Sequence, residues 1–179
     1  MTFAAESLRR DLTSSRELLL AAVAGVTEEQ FKLRPPRSTK PIEAGETPLG
    51  QANWCLAEVL AHLLQQERLR AERIELALTQ DGVAITPSAP EVHYESARAG
   101  RAVPVPQLIH GLLASRRDIE RLLGQGASLE AGLQRSTIHP QLGRQTVEWI
   151  LREKVIAHEE EHVTQIEAIK AALRNQPVA

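Results

Sequence analysis

Cysteine, aromatic residues and any excess of one charge are all scarce in this 179-residue chain. A single cysteine, Cys55, excludes an internal disulfide framework and is compatible with a reducing cytoplasm. Aromatic residues make up 3% of the chain, so its core has to be assembled from Leu, Ile, Val and Ala. That palette suits helix packing better than a β-sandwich. The formal net charge is −2 with both signs interspersed, which lacks the basic surface of a nucleic-acid binder. The pairs in Leu8-Arg9-Arg10 and Ser115-Arg116-Arg117 are short enough to read as solvated helix faces. Long hydrophobic runs are missing too. Leu18 to Val26 is apolar apart from glycine, but it is too short to span a bilayer. Asp11, Arg16 and Glu17 precede it and no clean cleavage site follows, so it does not read as a signal peptide. The expectation is a soluble, cytoplasmic protein with neither nucleic-acid nor membrane partners.

What is present is an ordinary globular composition, 42% hydrophobic, of a length that suits one domain over residues 1–179. Four segments carry helical periodicity. The first runs from about Phe3 to Ala24, with Leu8, Leu12, Leu19 and Val23 on its apolar face. Thr27-Glu28-Glu29-Gln30 reads as a capping box opening one short turn of helix, and Pro35, Pro36, Pro41 and Pro48 mark an extended loop. The second helix is expected from near Trp54 to about Thr79. The third opens around Pro106 and stops at Gly124, and the fourth follows Gly143 and Thr146 to about Arg174. No alternating run with hairpin turns stands out, so no sheet is expected. The fold class is all-α, a four-helix bundle with long connections between helices.

The fourth helix carries the most specific signal. Its apolar stripe passes through Val147, Leu151, Val155, His158, His162, Ile166, Ile169 and Leu173, so both histidines occupy mid-core positions. Residues four apart lie one above the other, roughly 6 Å along the axis. Two imidazoles so placed can converge on one ion at about 2.0–2.1 Å each. The spacing alone is weak evidence. Its place in the stripe strengthens it, because an unpartnered buried imidazole costs about 1–3 kcal/mol, which a leucine would avoid. A shared metal ion explains two adjacent buried histidines more simply than two independent hydrogen bonds.

His62 is the third candidate ligand. Glu58-Val59-Leu60-Ala61-His62 and Lys154-Val155-Ile156-Ala157-His158 share Val and Ala at matching positions, which gives the two histidines similar orientations on their helices. Taken alone, His62 fits a ligand and a satisfied core residue equally well. His110 falls off the Leu108/Leu112 face and is expected in solvent, while His93 and His139 fall in expected loops. Cys55 lies about 10 Å along the axis from His62, too far to share an ion with it, and is expected to be a small buried residue.

Trp54-Cys55-Leu56-Ala57-Glu58-Val59-Leu60-Ala61-His62 and His158-Glu159-Glu160-Glu161-His162 together resemble the DinB-like (DinB/YfiT) superfamily of metal-dependent enzymes. Thr27-Glu28-Glu29-Gln30 with Arg34-Pro35, and His139-Pro140-Gln141-Leu142-Gly143 ahead of the last helix, extend the resemblance over nearly the whole chain. The resemblance implies a four-helix bundle with three metal-binding histidines at His62, His158 and His162. It also implies a homodimer, a small-molecule substrate, and enzymes that use thiols such as bacillithiol, mycothiol or glutathione. The family usually has Ser or Thr after the tryptophan. Cys55 stands there instead, a weaker cap, which leaves Asn53 as the alternative.

Three histidines leave a divalent ion an open coordination position, as catalytic sites do. Imidazole ligands suit Zn, Ni, Cu and Fe, and the set expected here is Zn, Ni or Fe. The functional expectation is a metal-dependent enzyme, a thiol-dependent transferase or a hydrolase, with a low-molecular-weight thiol as possible co-substrate. The alternative is a non-catalytic metal-binding stress-response bundle. His158-Glu159-Glu160-Glu161-His162 also satisfies the zinc-protease pattern H-E-x-x-H, but the further downstream ligand and the substrate-holding sheet of such proteases are lacking. On the stripe's geometry Glu160 points to solvent, and Glu159 and Glu161 flank the histidines as catalytic candidates. Each could orient an imidazole or accept a proton, and a solvated acidic face accounts for each as well.

Overall fold

The computed structural model describes residues 3–36, 53–87, 89–124 and 129–174. Four long helices form the bundle: α1 (Phe3–Val23), α3 (Leu56–Thr79), α5 (Val105–Gly124), and a final helix made of α7 (Val147–Trp149), a π-helical turn (Ile150–Ile156) and α8 (Ala157–Arg174). Shorter helices join them: α2 (Glu28–Lys32), α4 (Pro90–Gly100) and α6 (Leu129–Gln134). Helix α3 packs against both α4 and α5, while α1 lies along α8. The expected long helices are all present, with ends within two residues of those read from periodicity. The expected loop through Pro41 and Pro48 lies outside the described residues.

Helix α4 occupies the connection read as a loop, opening on Pro90 at its first turn. It lies so close to α3 that a Cβ at Gly100 would collide with that of Ala61. The chain also forms a small three-stranded sheet of β1 (Val83–Ala84), β2 (Ser136–His139) and β3 (Gly143–Thr146). β2 and β3 pair antiparallel from Ser136↔Thr146 to His139↔Gly143, and β1 pairs parallel with β2. Strands of two to four residues are too short to show alternation. They are held instead by Asp81, whose Oδ1 accepts from the Ser136 N–H at 2.7 Å and its hydroxyl at 2.9 Å. Gly143 closes the hairpin at φ 70°, where a side chain would be strained. The hairpin then delivers Thr146 as the cap of the last helix, its Oγ1 accepting from the Trp149 N–H at 3.1 Å.

The apolar core is divided in two. One cluster gathers Leu19, Phe31, Leu60, Leu63, Leu112 and Ile166. The other gathers Leu12, Ile74, Ile119, Leu123, Leu151 and Ile156. Between them every long helix contributes a buried polar residue: Ser15 and Arg16 from α1, Glu67 from α3, Arg116 from α5 and Glu159 from α8. Arg116 is 4% exposed, so the reading of its cluster as a solvated face fails at that residue. The four charges close a ring of alternating sign. Arg16 meets Glu67 at 2.5 Å and Glu159 at 3.0 Å, and Arg116 meets Glu67 at 2.6 Å and Glu159 at 2.8 Å. Burial opposes the charge on Arg116, yet Glu67 and Glu159 outweigh it and hold the guanidinium above its ordinary pKa.

Removing one member strands a partner charge in the core. Arg116→Met and Glu159→Gln should each lower unfolding stability by about 3–5 kcal/mol. The double variant should lose less than the sum of the two, which a denaturant double-mutant cycle measures.

Candidate metal centre

The first turn of α3 is anchored from two sides. Cys55 occupies its N-cap position, and the Cys55 N–H donates to Glu58 Oε2 at 2.8 Å. Glu58 is fully buried and its other oxygen accepts from Arg34, whose guanidinium also donates to the Asn53 carbonyl at 3.1 Å. Asn53 therefore does not cap the helix, and Arg34 of the Arg34-Pro35 motif acts as a strap onto it. Cys55 is fully buried, as expected, and burial chiefly pushes its thiol pKa up. One turn after Glu58 comes His62, 5% exposed, its ring 5.1 Å from that of the buried Trp54.

The last helix brings His158 and His162 to the same place. The Nε2 of His158 lies 3.3 Å from that of His62 and 3.3 Å from that of His162. The ligand nitrogens of all three lie within 4.8 Å of one another. Two nitrogens held about 2.0–2.1 Å from one tetrahedral ion stand about 3.3–3.4 Å apart. The Nε2 spacings match that edge and are long for an N–H···N hydrogen bond, so the donor set fits a single divalent ion. His162 Nδ1 lies 2.6 Å from Gln165 Oε1, which can only accept, so the proton sits on Nδ1 and the Nε2 lone pair is free. Gln165 was not singled out from sequence, although its place three residues after His162 on one helix face could have suggested it.

All three imidazoles are held neutral. Burial lowers His62 to a pKa of about 3, with further lowering from His162, His93 and Arg70. Burial lowers His158 to about 2, helped by His162, His62, Arg70 and Lys154. His162 is lowered by burial as well, against the opposing pull of Gln165 and Glu161.

The other sequence candidates are dispersed. Both oxygens of Glu159 are taken up, one by Arg16 and the other by Arg116 and by the Ser15 hydroxyl at 2.6 Å. Glu161 is exposed beside His162, and Glu160 is exposed as expected. His110 is exposed as expected. His93 lies on α4, its Nδ1 2.9 Å from the Gln66 amide nitrogen, and His139 is buried in β2, so neither sits in a loop. A cleft of about 10 Å³, room for about one water, separates His158 from Glu67, Arg116 and Glu159 of the ring.

The sequence pattern of the DinB superfamily matches residues 7–166, and the chain belongs to that superfamily. Among solved structures it is similar to YfiT from Bacillus subtilis, described as a probable metal-dependent hydrolase with an unusual four-helix bundle topology. That similarity has a TM-score of 0.70 at 18% identity, over 94% of this chain and 87% of the other. It is also similar to a mycothiol-dependent maleylpyruvate isomerase, with a TM-score of 0.61 at 14% identity. There it covers 93% of this chain and 63% of the other, so this chain spans under two thirds of that enzyme's length. At these identities the likeness is one of fold. No curated protein matches the chain.

Neutral buried histidines make the metal-free chain acid-sensitive. In the unfolded chain they titrate near 6.5, and in the folded chain His62 titrates near 3. Unfolding therefore takes up protons below pH 6.5, and stability is lost as the pH falls from there, by up to about 1.4 kcal/mol per pH unit for each histidine. Unfolding midpoints between pH 7.5 and 5 should fall less steeply for His158→Gln than for the native chain. Parallel slopes would count against buried neutral imidazoles.

Proposed function

We propose that this chain is a metal-dependent enzyme in which His62, His158 and His162 hold one divalent ion and a small molecule reacts beside it. The observation that carries the reading is that the His158 Nε2 lies 3.3 Å from the Nε2 of His62 and 3.3 Å from that of His162. Such an ion would supply Lewis acidity, lowering the pKa of a water or thiol presented to it. That chemistry fits a hydrolase or a thiol-dependent transferase, and the two similar structures are described as one enzyme of hydrolytic type and one that depends on a thiol.

The chain's own residues make the centre ready for an ion without further carboxylates. Depressed imidazole pKa values keep the lone pairs available at neutral pH, so binding does not require proton release. Gln165 fixes the tautomer of His162, and Trp54 packs against His62 to hold its ring. Glu161, exposed next to His162, is the flanking carboxylate available to accept a proton, since Glu159 is committed to the ring.

Elemental analysis of purified protein should find about one divalent ion per chain, of the Zn, Ni or Fe group. His62→Ala, His158→Ala and His162→Ala should each lose it, together with any turnover in a screen of thiols and ester or amide substrates. Gln165→Leu should retain the fold but weaken metal affinity by about 10–100-fold. Full turnover by a metal-free histidine variant would overturn the reading.

A further inference from the structure

We propose that Arg70, Arg73 and Lys154 form a carboxylate-binding subsite beside the three histidines, so that the molecule handled there carries an anionic group. The inference rests on the histidine centre being the place of reaction, and it names the substrate class.

His62, Gln66, Arg70 and Arg73 follow one another on α3 at steps of four, four and three residues, which puts them on one face. Helical side chains lean toward the N-terminus of their helix, so Arg70 reaches back toward His62. Its NH2 donates to Gln66 Oε1 at 2.8 Å, and the same Gln66 turns its amide nitrogen to His93 Nδ1. From the facing helix Lys154 lines the cleft with Gln66 and His158, its Nζ 5.1 Å above the Trp149 ring.

Among the described residues, none of Arg70, Arg73 and Lys154 forms a salt bridge. The Nε of Arg70 is buried without a hydrogen-bond partner. Arg70 as a whole is half-buried, and a guanidinium withdrawn this far from water ordinarily pairs with a carboxylate. Glu67 and Glu159 border the cleft that Lys154 lines, but all their oxygens are engaged by Arg16 and Arg116. Burial chiefly, and Arg73 after it, pull Arg70 down to about 10. Glu72 is the acid that reaches Arg73, itself lowered mainly by burial. Two further imidazoles, His93 and His139, also face these cations. His93 and His139 are both lowered, first by burial and then by Arg70 and Arg73, with Lys154 acting on His139 as well. His139 Nδ1 accepts from the backbone N–H groups of Gln141 and Leu142 at 3.2 and 3.3 Å, so its proton resides on Nε2. Cations and N–H donors thus dominate this wall, and a planar carboxylate matches the guanidinium fork.

The carboxylate could belong to the substrate or to a thiol co-substrate, and calorimetry on the full chain separates them. Succinate is titrated into metal-free and metal-loaded protein, with succinamide as neutral control. Succinate should bind the metal-free protein, more weakly at high salt, and succinamide should not bind. Arg70→Gln should weaken succinate at least about tenfold, as loss of a charge-assisted pair does, and Arg73→Gln and Lys154→Gln should each weaken it several-fold. Displacement of succinate by glutathione assigns the subsite to the thiol's carboxylate, whereas simultaneous binding assigns it to the other substrate. Absence of succinate binding to the native metal-free chain overturns the proposal. So does native affinity in the Arg73→Gln and Lys154→Gln variants, which remain informative if Arg70→Gln does not fold. Succinate binding by a chain that takes up no metal would sink the metal reading alone.

Discussion

The ring of Arg16, Glu67, Arg116 and Glu159 is the constraint on which the rest of this bundle depends. Apolar contacts between helices are non-directional, and a Leu-rich interface tolerates sliding by a turn with modest loss. Charges taken out of water tolerate no such shift, because each must keep its partner or suffer desolvation alone. Four helices each place one charge in the ring, so their relative heights are fixed together. Glu159 follows His158 directly, and Glu67 lies five residues beyond His62. A register that closes the ring therefore also brings the histidines of α3 and α8 to the same level. The stability of the ring relative to an apolar layer is secondary to this specificity.

The ring also decides the electrostatics of the histidine centre. It consumes the carboxylates of Glu67 and Glu159, so the charged groups acting on His62 and His158 are other histidines and cations. That pushes them toward the neutral form, the form a metal ion requires. A carboxylate left free beside them would have raised their pKa and drawn protons into competition with the ion. Separating the acids from the histidines by one small cleft gives two neighbouring polar sites with opposite requirements.

The long helices and the three histidines were legible in the sequence because both follow one period. Leu8, Leu12, Leu19 and Val23 mark α1, and His158 and His162 fall in step with Val155 and Ile166 on one stripe. The ring was not legible, since Arg16, Glu67, Arg116 and Glu159 look like ordinary surface charges until four helices are packed together. Their partners are separated by 43 to 51 residues in the hydrogen bonds Arg116 to Glu159 and Arg16 to Glu67, beyond any local pattern. The strands were missed for a different reason: Asp81 and a hairpin define them, not hydrophobic alternation. Helix α4 carries little apolar signal. Tyr94 and Ala97 pack on the core, but the rest of its face is polar or small.

The π-helical turn shows how a legible pattern can carry more than its first reading. Ile150, Leu151, Val155 and Ile156 are all buried, forming two pairs five residues apart. An α-helix would turn one member of each pair away from the other, whereas bonds from residue i to i+5, such as Ala157 N–H to the Arg152 carbonyl, align them. The wider turn lets the helix bury both pairs in the core cluster that holds Leu12, Ile74 and Ile119. It ends at Ile156, two residues before His158, so α-helical spacing resumes just where two imidazoles must stand four residues apart. The break in helical regularity is thus absorbed by the core, and the segment that presents the histidines stays regular.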